Sequence, residues 1–169
     1  MIYQLNVAQM KYSKDAPEMQ SFFNAVPQVQ RLAESSPGFI WRELNEDDPT
    51  IAKRLGPDFI VNLSAWESLD ALYAFVFSKP HRQIMMARDY WFTHAGKALS
   101  VVWFANNAPY PTWDQAIDRL EILWQTGPTQ DAFDYGWAYA NALTTKSLEL
   151  WATIIFSGEY STGKATETN

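Results

Sequence analysis

The side chains best suited to chemistry are concentrated in one segment of the chain, between His81 and Phe92. On a helix, six residues of this segment would share one face: His81, Ile84, Met85, Arg88, Trp91 and Phe92. A guanidinium on a buried face keeps its charge, so Arg88 needs a carboxylate, carbonyl oxygens or an anionic ligand. His81 lies in the first turn after Pro80, where the positive end of the helix favours a neutral imidazole. A neutral imidazole beside a pocket can act as a base or bind a metal.

Both residues also have purely structural interpretations. Arg88 could pair with Glu67, Asp70 or Glu43 while its aliphatic stem covers the edge of the core. His81 could donate a hydrogen bond to a loop carbonyl and do nothing else.

Two asparagines form the second candidate group. Asparagine is unfavourable inside strands, yet Asn6 and Asn62 both lie in strand-like segments. A buried carboxamide must find partners for its oxygen and for both N–H bonds. Two carboxamides that face a histidine on a helix would orient a ligand, but they could equally join strands or line a dimer seam.

Alternating and helical apolar patterns predict the elements that position these residues. Strands are predicted at residues 2–9, 39–44, 59–66 and 99–104. A solvated acidic turn at Glu46-Asp47-Asp48 and a further extended piece are predicted between the second and third. Helices are predicted from an N-cap at Asp15 with a kink or a second helix at Pro27, after Ser68, from Ser78 to about Ala95, and from a capping box at Thr112. This order is typical of an α+β, ferredoxin-like βαββαβ sheet with its helices on one face.

Composition narrows the possible functions. The 169 residues carry a net charge of −6 without a basic cluster, so we expect no nucleic-acid partner. The chain has no cysteine, and no familiar metal or phosphate motif is present, so we expect no metal site. No leader-like start and no apolar run of about 18 residues is found, which predicts a cytoplasmic protein that does not enter a membrane.

Aromatic residues are abundant, with eight Trp, eight Tyr and ten Phe. Trp41, Trp66 and Trp103 lie in predicted strands, and some should project from the uncovered sheet face. Pairing two such faces would remove them from water, so we expect a homodimer through the open sheet face. We assign residues 1–135 to the main domain. Residues 136–169 are predicted to be a C-terminal extension that adds an edge strand or wraps a partner, with a frayed end.

Short motifs along the first 133 residues resemble a known family. They are Gln4-Leu5-Asn6, Pro37-Gly38-Phe39-Ile40-Trp41-Arg42, Val61-Asn62-Leu63-Ser64-Ala65-Trp66-Glu67-Ser68, His81, Arg88-x-x-Trp91-Phe92, Val102-Trp103, Pro111-Thr112 and Gly127-Pro128-Thr129. Together they resemble the bacterial family called domain of unknown function 3291. The resemblance implies a dimeric α/β barrel, in the superfamily of antibiotic-biosynthesis-type monooxygenases and haem-degrading enzymes.

The resemblance also suggests roles for two residues. Asn6 on the first strand and His81 on the helix look like the asparagine and histidine of the haem-degrading members. Those members carry a tryptophan roughly three turns before the histidine, where this chain has Ala71 and Leu72. The cofactor-independent monooxygenases of the group react an electron-rich substrate directly with oxygen and use Asn, Trp and His-type groups to orient it, so resemblance to them tolerates the missing tryptophan better.

These observations lead to one main functional hypothesis and two alternatives. The main hypothesis is a small-molecule enzyme of the monooxygenase-like group, cofactor-independent or haem-dependent, that acts on an apolar or aromatic substrate. In it, His81, Asn6 and Arg88 are catalytic, and the predicted substrate-binding residues are Asn62, Met85, Trp91, Phe92 and Trp66. The alternatives are a haem or hydrophobic-ligand binding protein without turnover, in which His81 is the axial ligand, and a purely structural homodimer.

Overall fold

The computed structural model describes residues 1–94, 96–106 and 109–144. Its centre is a four-stranded sheet in which all neighbouring strands are antiparallel. The strands are β1 (Ile2–Gln9), β2 (Phe39–Arg42), β3 (Phe59–Trp66) and β4 (Ser100–Phe104), and their order in the sheet is β2-β3-β1-β4. The predicted bounds of β1 and β3 are confirmed, whereas β2 is two residues shorter than predicted and β4 one residue shorter.

Six α-helices connect or follow these strands in the part of the chain that the structure describes. They are α1 (Gln20–Glu34), α2 (Pro49–Arg54), α3 (Leu69–Val76), α4 (Lys79–Ala87), α5 (Trp113–Thr126) and α6 (Tyr135–Ala140). The side chain of Ser68 accepts a hydrogen bond from the backbone of Ala71 and so begins α3. The predicted capping box at Thr112 is confirmed, because Thr112 and Gln115 exchange hydrogen bonds at the start of α5.

Three helix predictions need correction. Asp15 does not cap α1, which instead follows a 3-10 turn at Pro17–Met19 and continues through Pro27 as one helix. The piece predicted as extended after Asp48 contains α2, because the Asp48 side chain accepts from the Thr50 backbone and Pro49 suits a first helical turn. The helix that was expected to reach Ala95 ends at Ala87 and passes into a 3-10 turn at Arg88–Tyr90.

The first sheet face is covered by α5 and α2. Strand residues of odd number on β1, such as Tyr3 and Leu5, pack in one cluster with Ile117 and Leu120 of α5. Trp103, also in this cluster, is 5% exposed. The expectation of helices on one face only is therefore wrong, because the predicted helix at Thr112 returns to cover the face that was assumed to be open.

The second sheet face is covered by α3 and α6 at one end and faces α1 and α4 over the rest. Trp66 and Val102 pack there with residues of α3 and with Ala138 of α6. The helix α6 begins at the predicted boundary near residue 135, and the rest of the predicted extension beyond residue 144 lies outside the described residues. Within the described ranges, the helices are too short or too polar to cross a membrane.

Candidate active site

A cavity of about 970 Å³ lies between the second sheet face and the helices α1 and α4. The strands β1 and β3 supply a polar floor, whereas α1 supplies an apolar wall that includes Phe22, Val26 and Val29. Side chains at alternate positions of a strand point to the same face, so Gln4 and Asn6 reach the cavity together. A mostly apolar pocket with a few convergent polar groups is typical of a small-molecule site.

The predicted stripe on α4 lines the opposite wall. His81, Ile84, Met85 and Arg88 all border the cavity, at the spacing of one helical face. Phe92 and Trp66, also predicted to bind substrate, line the same space. Trp66 belongs to a different segment from the α4 residues, and it meets them because β3 and α4 face each other across the cavity.

Trp91 is the exception among the predicted site residues. It does not line the cavity but packs in a small core cluster with Met10 and Met19. Its indole nitrogen donates to Ser21 Oγ at 3.0 Å. The helical stripe was extended too far, because α4 ends before this residue and the 3-10 turn rotates Trp91 away.

His81 is held in one tautomer by the end of α3. Its Nδ1 lies 2.8 Å from the carbonyl oxygen of Val76, and since a carbonyl can only accept, Nδ1 carries the hydrogen. The neutral ring then keeps a lone pair on Nε2. Burial lowers the pKa of His81, and the hydrogen bond to Val76 offsets this effect only in part. His81 is therefore placed to be neutral and basic at the cavity wall.

Asn6 and Asn62 are opposite one another on neighbouring strands, in a row that continues to Ser100 on β4. The side chain of Asn62 lies near the carboxylate of Glu46 and opposes the rise in its pKa. The carboxamide of Asn6 makes no side-chain hydrogen bond to any residue that the structure describes, and it borders the cavity. Its donors and its acceptor thus face the space in which a ligand would lie.

Arg88 and Glu46 bring charge to the cavity wall. Arg88 Nε lies 3.5 Å from Asp89 Oδ1, a carboxylate outside the three predicted as its partners. Glu46 was expected only in a solvated turn, yet it lines the cavity and lies 3.6 Å from the guanidinium of Arg42. Burial raises the pKa of Glu46, and the charge of Arg42 partly opposes that rise. The acidic turn gave no periodic signal that could have revealed this contact.

A row of hydrogen bonds crosses the cavity floor and was also missed from the sequence. Gln4 and Ser64, both almost fully buried, are bonded to each other. The network links Trp66 at one end to the phenol of Tyr135 at the other. No local pattern in the sequence relates Gln4 to a residue 131 positions away.

The side chains that could ligate a metal limit which cofactors could bind in the cavity. Within residues 1–94, 96–106 and 109–144, no three His, Asp or Glu side chains form a group that could hold a metal ion. Haem needs only one side-chain ligand and a slot. An imidazole whose Nδ1 is bound to a carbonyl and whose Nε2 keeps its lone pair fits that role.

Two solved structures match part of the chain at low identity. A conserved protein from Methanosarcina mazei Go1 is 16% identical with a TM-score of 0.47, and the match covers 60% of this chain and 89% of that one. SnoaB, a cofactor-independent oxygenase from Streptomyces nogalater, is 17% identical with a TM-score of 0.44, over 63% of this chain and 94% of its own. A search of the curated proteins found no match.

The family comparison covers most of the chain. The model of the family described as "Domain of unknown function (DUF3291)" matches residues 1–148, which extends beyond Phe133, where the resemblance noted in the sequence ends. The chain therefore belongs to the DUF3291 family.

Proposed function

We propose that this protein is a small-molecule enzyme of the monooxygenase-like group, which removes a proton from an apolar, conjugated substrate bound between the sheet and helices α1 and α4. One observation carries the proposal. The hydrogen bond from His81 Nδ1 to Val76 leaves Nε2 as a base at the wall of a cavity large enough for such a substrate.

The surrounding residues have separate roles in this reaction. Nε2 of His81 accepts the proton, and the carboxamide of Asn6 orients the substrate across the cavity. Arg88 balances the negative charge that develops, because its guanidinium is charged at any relevant pH. The apolar side chains of α1 keep water from the reacting atoms. The substrate anion is then the electron donor to molecular oxygen, the co-substrate of a monooxygenase.

Oxygen consumption tests this proposal directly. Purified protein in air-saturated buffer with a metal chelator is mixed in turn with naphthols and other fused-ring phenols, and an oxygen electrode records the rate. We expect turnover of at least one compound, and a loss of about 100-fold in kcat/KM for His81→Ala, because a general base contributes roughly that factor. His94→Ala is the comparison: His94 also borders the cavity but is largely exposed and paired with Asp89, so its rate should fall far less than that of His81→Ala.

Two results would contradict the proposal. Turnover that persists in His81→Ala would show that another group takes the proton. The proposed oxygenase activity would also be contradicted if the wild type binds several phenols of the panel but consumes oxygen with none of them.

Haem binding is the second candidate, and the same hydrogen bond from His81 to Val76 favours it. In this case Nε2 of His81 would ligate the iron, and the apolar wall of α1 would face the ring. Haem titration followed by visible absorption distinguishes the candidates. A sharp band that His81→Ala abolishes and His94→Ala retains would support haem, whereas a spectrum equal to free haem would exclude it.

A further inference from the structure

A cluster of polar side chains borders the cavity at a distance from His81. Its members come from four segments that the fold brings together: Gln30 of α1, Arg42 of β2, Glu46 of the turn after β2, and Asn62 of β3. The wall that α1 adds beside them is mostly apolar. Polar groups that converge in a mostly apolar pocket are the groups that fix the orientation of a ligand.

The cluster and His81 are separated along the strands. The ring of Phe75 lies 4.8 Å from that of His81 and stacks on the ring of Trp66 at 5.2 Å, so the base lies at the Trp66 end of β3. Asn62 comes four residues earlier in β3, which corresponds to roughly 13 Å at the rise of a strand. A ligand that reaches both places is therefore elongated along the strands and meets different groups at its two ends.

The guanidinium of Arg42 is directed at acceptors of the protein itself. Its Nε lies 2.7 Å from Glu34 Oε1. Its Nη2 lies 3.4 Å from Gln30 Oε1, and its Nη1 lies 3.6 Å from Glu46 Oε1. Glu34 is 43% exposed and is not among the residues that border the cavity. Glu34 thus balances the charge of Arg42 from outside, and the carboxylate of Glu46 is left to face the cavity.

Glu46 keeps acceptor capacity for a ligand. A carboxylate offers about four acceptor sites on its two oxygens. Gln30 Nε2, at 3.4 Å, and Arg42 Nη1 both approach Oε1, and the side chain of Asn62 lies near the carboxylate. These three neighbours from the described part of the chain leave at least one acceptor site open. Burial raises the pKa of Glu46, which means that its charged form has lost hydration and gains from a further donor.

We propose that Glu46 is a specificity-determining residue, which accepts a hydrogen bond from a hydroxyl or amino group at the end of the substrate remote from His81. The inference rests on the proposed function, because it names the substrate class of the same cavity: conjugated compounds that carry a second, hydrogen-bond-donating group. Gln30 and Arg42 are positioning residues, which hold Oε1 of the carboxylate. A substrate with only an ether oxygen at that end is disfavoured, because its lone pairs meet those of Glu46.

Ligand binding tests the inference without turnover. The probes are 2,6-dihydroxynaphthalene, 6-amino-2-naphthol and 6-methoxy-2-naphthol, and calorimetry measures their affinities at about pH 8, well above the ordinary pKa of a glutamate. We expect the wild type to bind the diol about tenfold more tightly than the methoxy compound, as for one hydrogen bond to a charged group. The tighter of the two donor compounds identifies the group that the site accepts.

The variant Glu46→Gln makes the test specific to this side chain. The N–H groups of Gln30 and Arg42 would hold the carbonyl oxygen of the introduced amide, so its NH₂ group would face the ligand. This variant should therefore bind the methoxy compound at least as tightly as the diol. Asp131→Asn is the matched control, because it makes the same charge change at an exposed carboxylate that does not border the cavity, and it should keep the wild-type preference.

The outcomes separate this inference from the proposed function. If the wild type binds the diol and the methoxy compound equally, or if Glu46→Gln keeps the wild-type preference, the role of Glu46 is wrong, while the proposed role of His81 is unaffected. If the wild type binds none of the three probes, the proposed function is overturned, and the inference falls with it. Should Glu46→Gln fail to fold, Glu46→Asp takes its place, since it keeps the charge but withdraws the carboxylate. An unchanged preference for the diol in that variant would contradict the inference.

Discussion

The imidazole of His81 illustrates how one hydrogen bond determines both the position and the protonation of a side chain. The carbonyl of Val76 selects the tautomer, and burial lowers the pKa of the ring and favours its neutral form. Burial also favours the neutral form of Glu46, and because this group is an acid its pKa is raised instead of lowered. The cavity wall therefore carries a base that is easily kept neutral and an acid that is harder to ionise.

The lowered pKa of His81 predicts that stability depends on pH. The unfolded chain takes up a proton on this residue near pH 6.5, while the folded chain takes it up only at lower pH. The free energy of unfolding should therefore fall as the pH is lowered from about 6.5, with a slope of at most about 1.4 kcal/mol per pH unit from this residue. Urea unfolding at a series of pH values should show that His81→Gln lacks this part of the slope. His94→Gln is the control and should follow the wild type, and an equal slope in His81→Gln would contradict the prediction.

The junction between β2 and α3 shows how closely two elements can approach. The carbonyl of Gly38 accepts from the backbone of Glu67, next to the start of α3. Gly38 has a φ of +80°, and a Cβ placed there would lie 2.5 Å from the Cβ of Ala71. Glycine is required at this position both for its backbone conformation and for the contact between strand and helix.

Gly38→Ala is therefore expected to destabilise the protein by about 2–4 kcal/mol, the sum of the left-handed strain and an overpacked contact. Gly96→Ala provides the comparison, because Gly96 has a φ of +63° and a Cβ added there would meet no atom of the described residues within 4 Å. Only the strain applies there, so the expected cost is about 1–2 kcal/mol. Denaturant unfolding measures both, and equal losses would mean that the contact with Ala71 relaxes freely.

Taken as a whole, the chain encloses its sheet on both faces and uses them differently. The face with Tyr3 and Leu5 forms a dry core with α5, while the face with Gln4 and Asn6 opens into the cavity. The homodimer was predicted from tryptophans on an open sheet face, and α5 occupies that face. The dimer stays a prediction, to be measured by sedimentation equilibrium, and it no longer follows from uncovered tryptophans.

The role of α5 as a cover can be tested on the helix itself. Leu120 is fully buried against the sheet, whereas Ile122 is 38% exposed on the same helix. Leu120→Ala should lower the free energy of unfolding by about 2–5 kcal/mol, and Ile122→Ala by less than about 1 kcal/mol. If both cost the same small amount, and the melting temperature of the wild type rises with protein concentration, a second copy covers the sheet instead of α5.

Much of the fold could be predicted from local pattern. The alternation of apolar residues located β1 and β3 and assigned their faces, because side chains alternate across any strand. The helix after Ser68 was recognisable from the spacing of its apolar residues, and the helix after Thr112 from its capping box, since a cap acts within three residues of itself. The helix α2 was missed, because six residues are too few for helical spacing to show.

The candidate site, like the fold, could be predicted from the sequence only in part. The residue types and the helical spacing of His81, Met85 and Arg88 were sufficient to predict that they share one face. The bonds between elements were decided by tertiary structure: the one from His81 of α4 to the carbonyl of Val76 in α3, and the one from Gln4 of β1 to Tyr135 of α6. Local sequence determines periodicity and capping within a few residues, whereas contacts between elements, such as the bond from Gln4 to Tyr135 across 131 positions, depend on how the helices pack over the sheet.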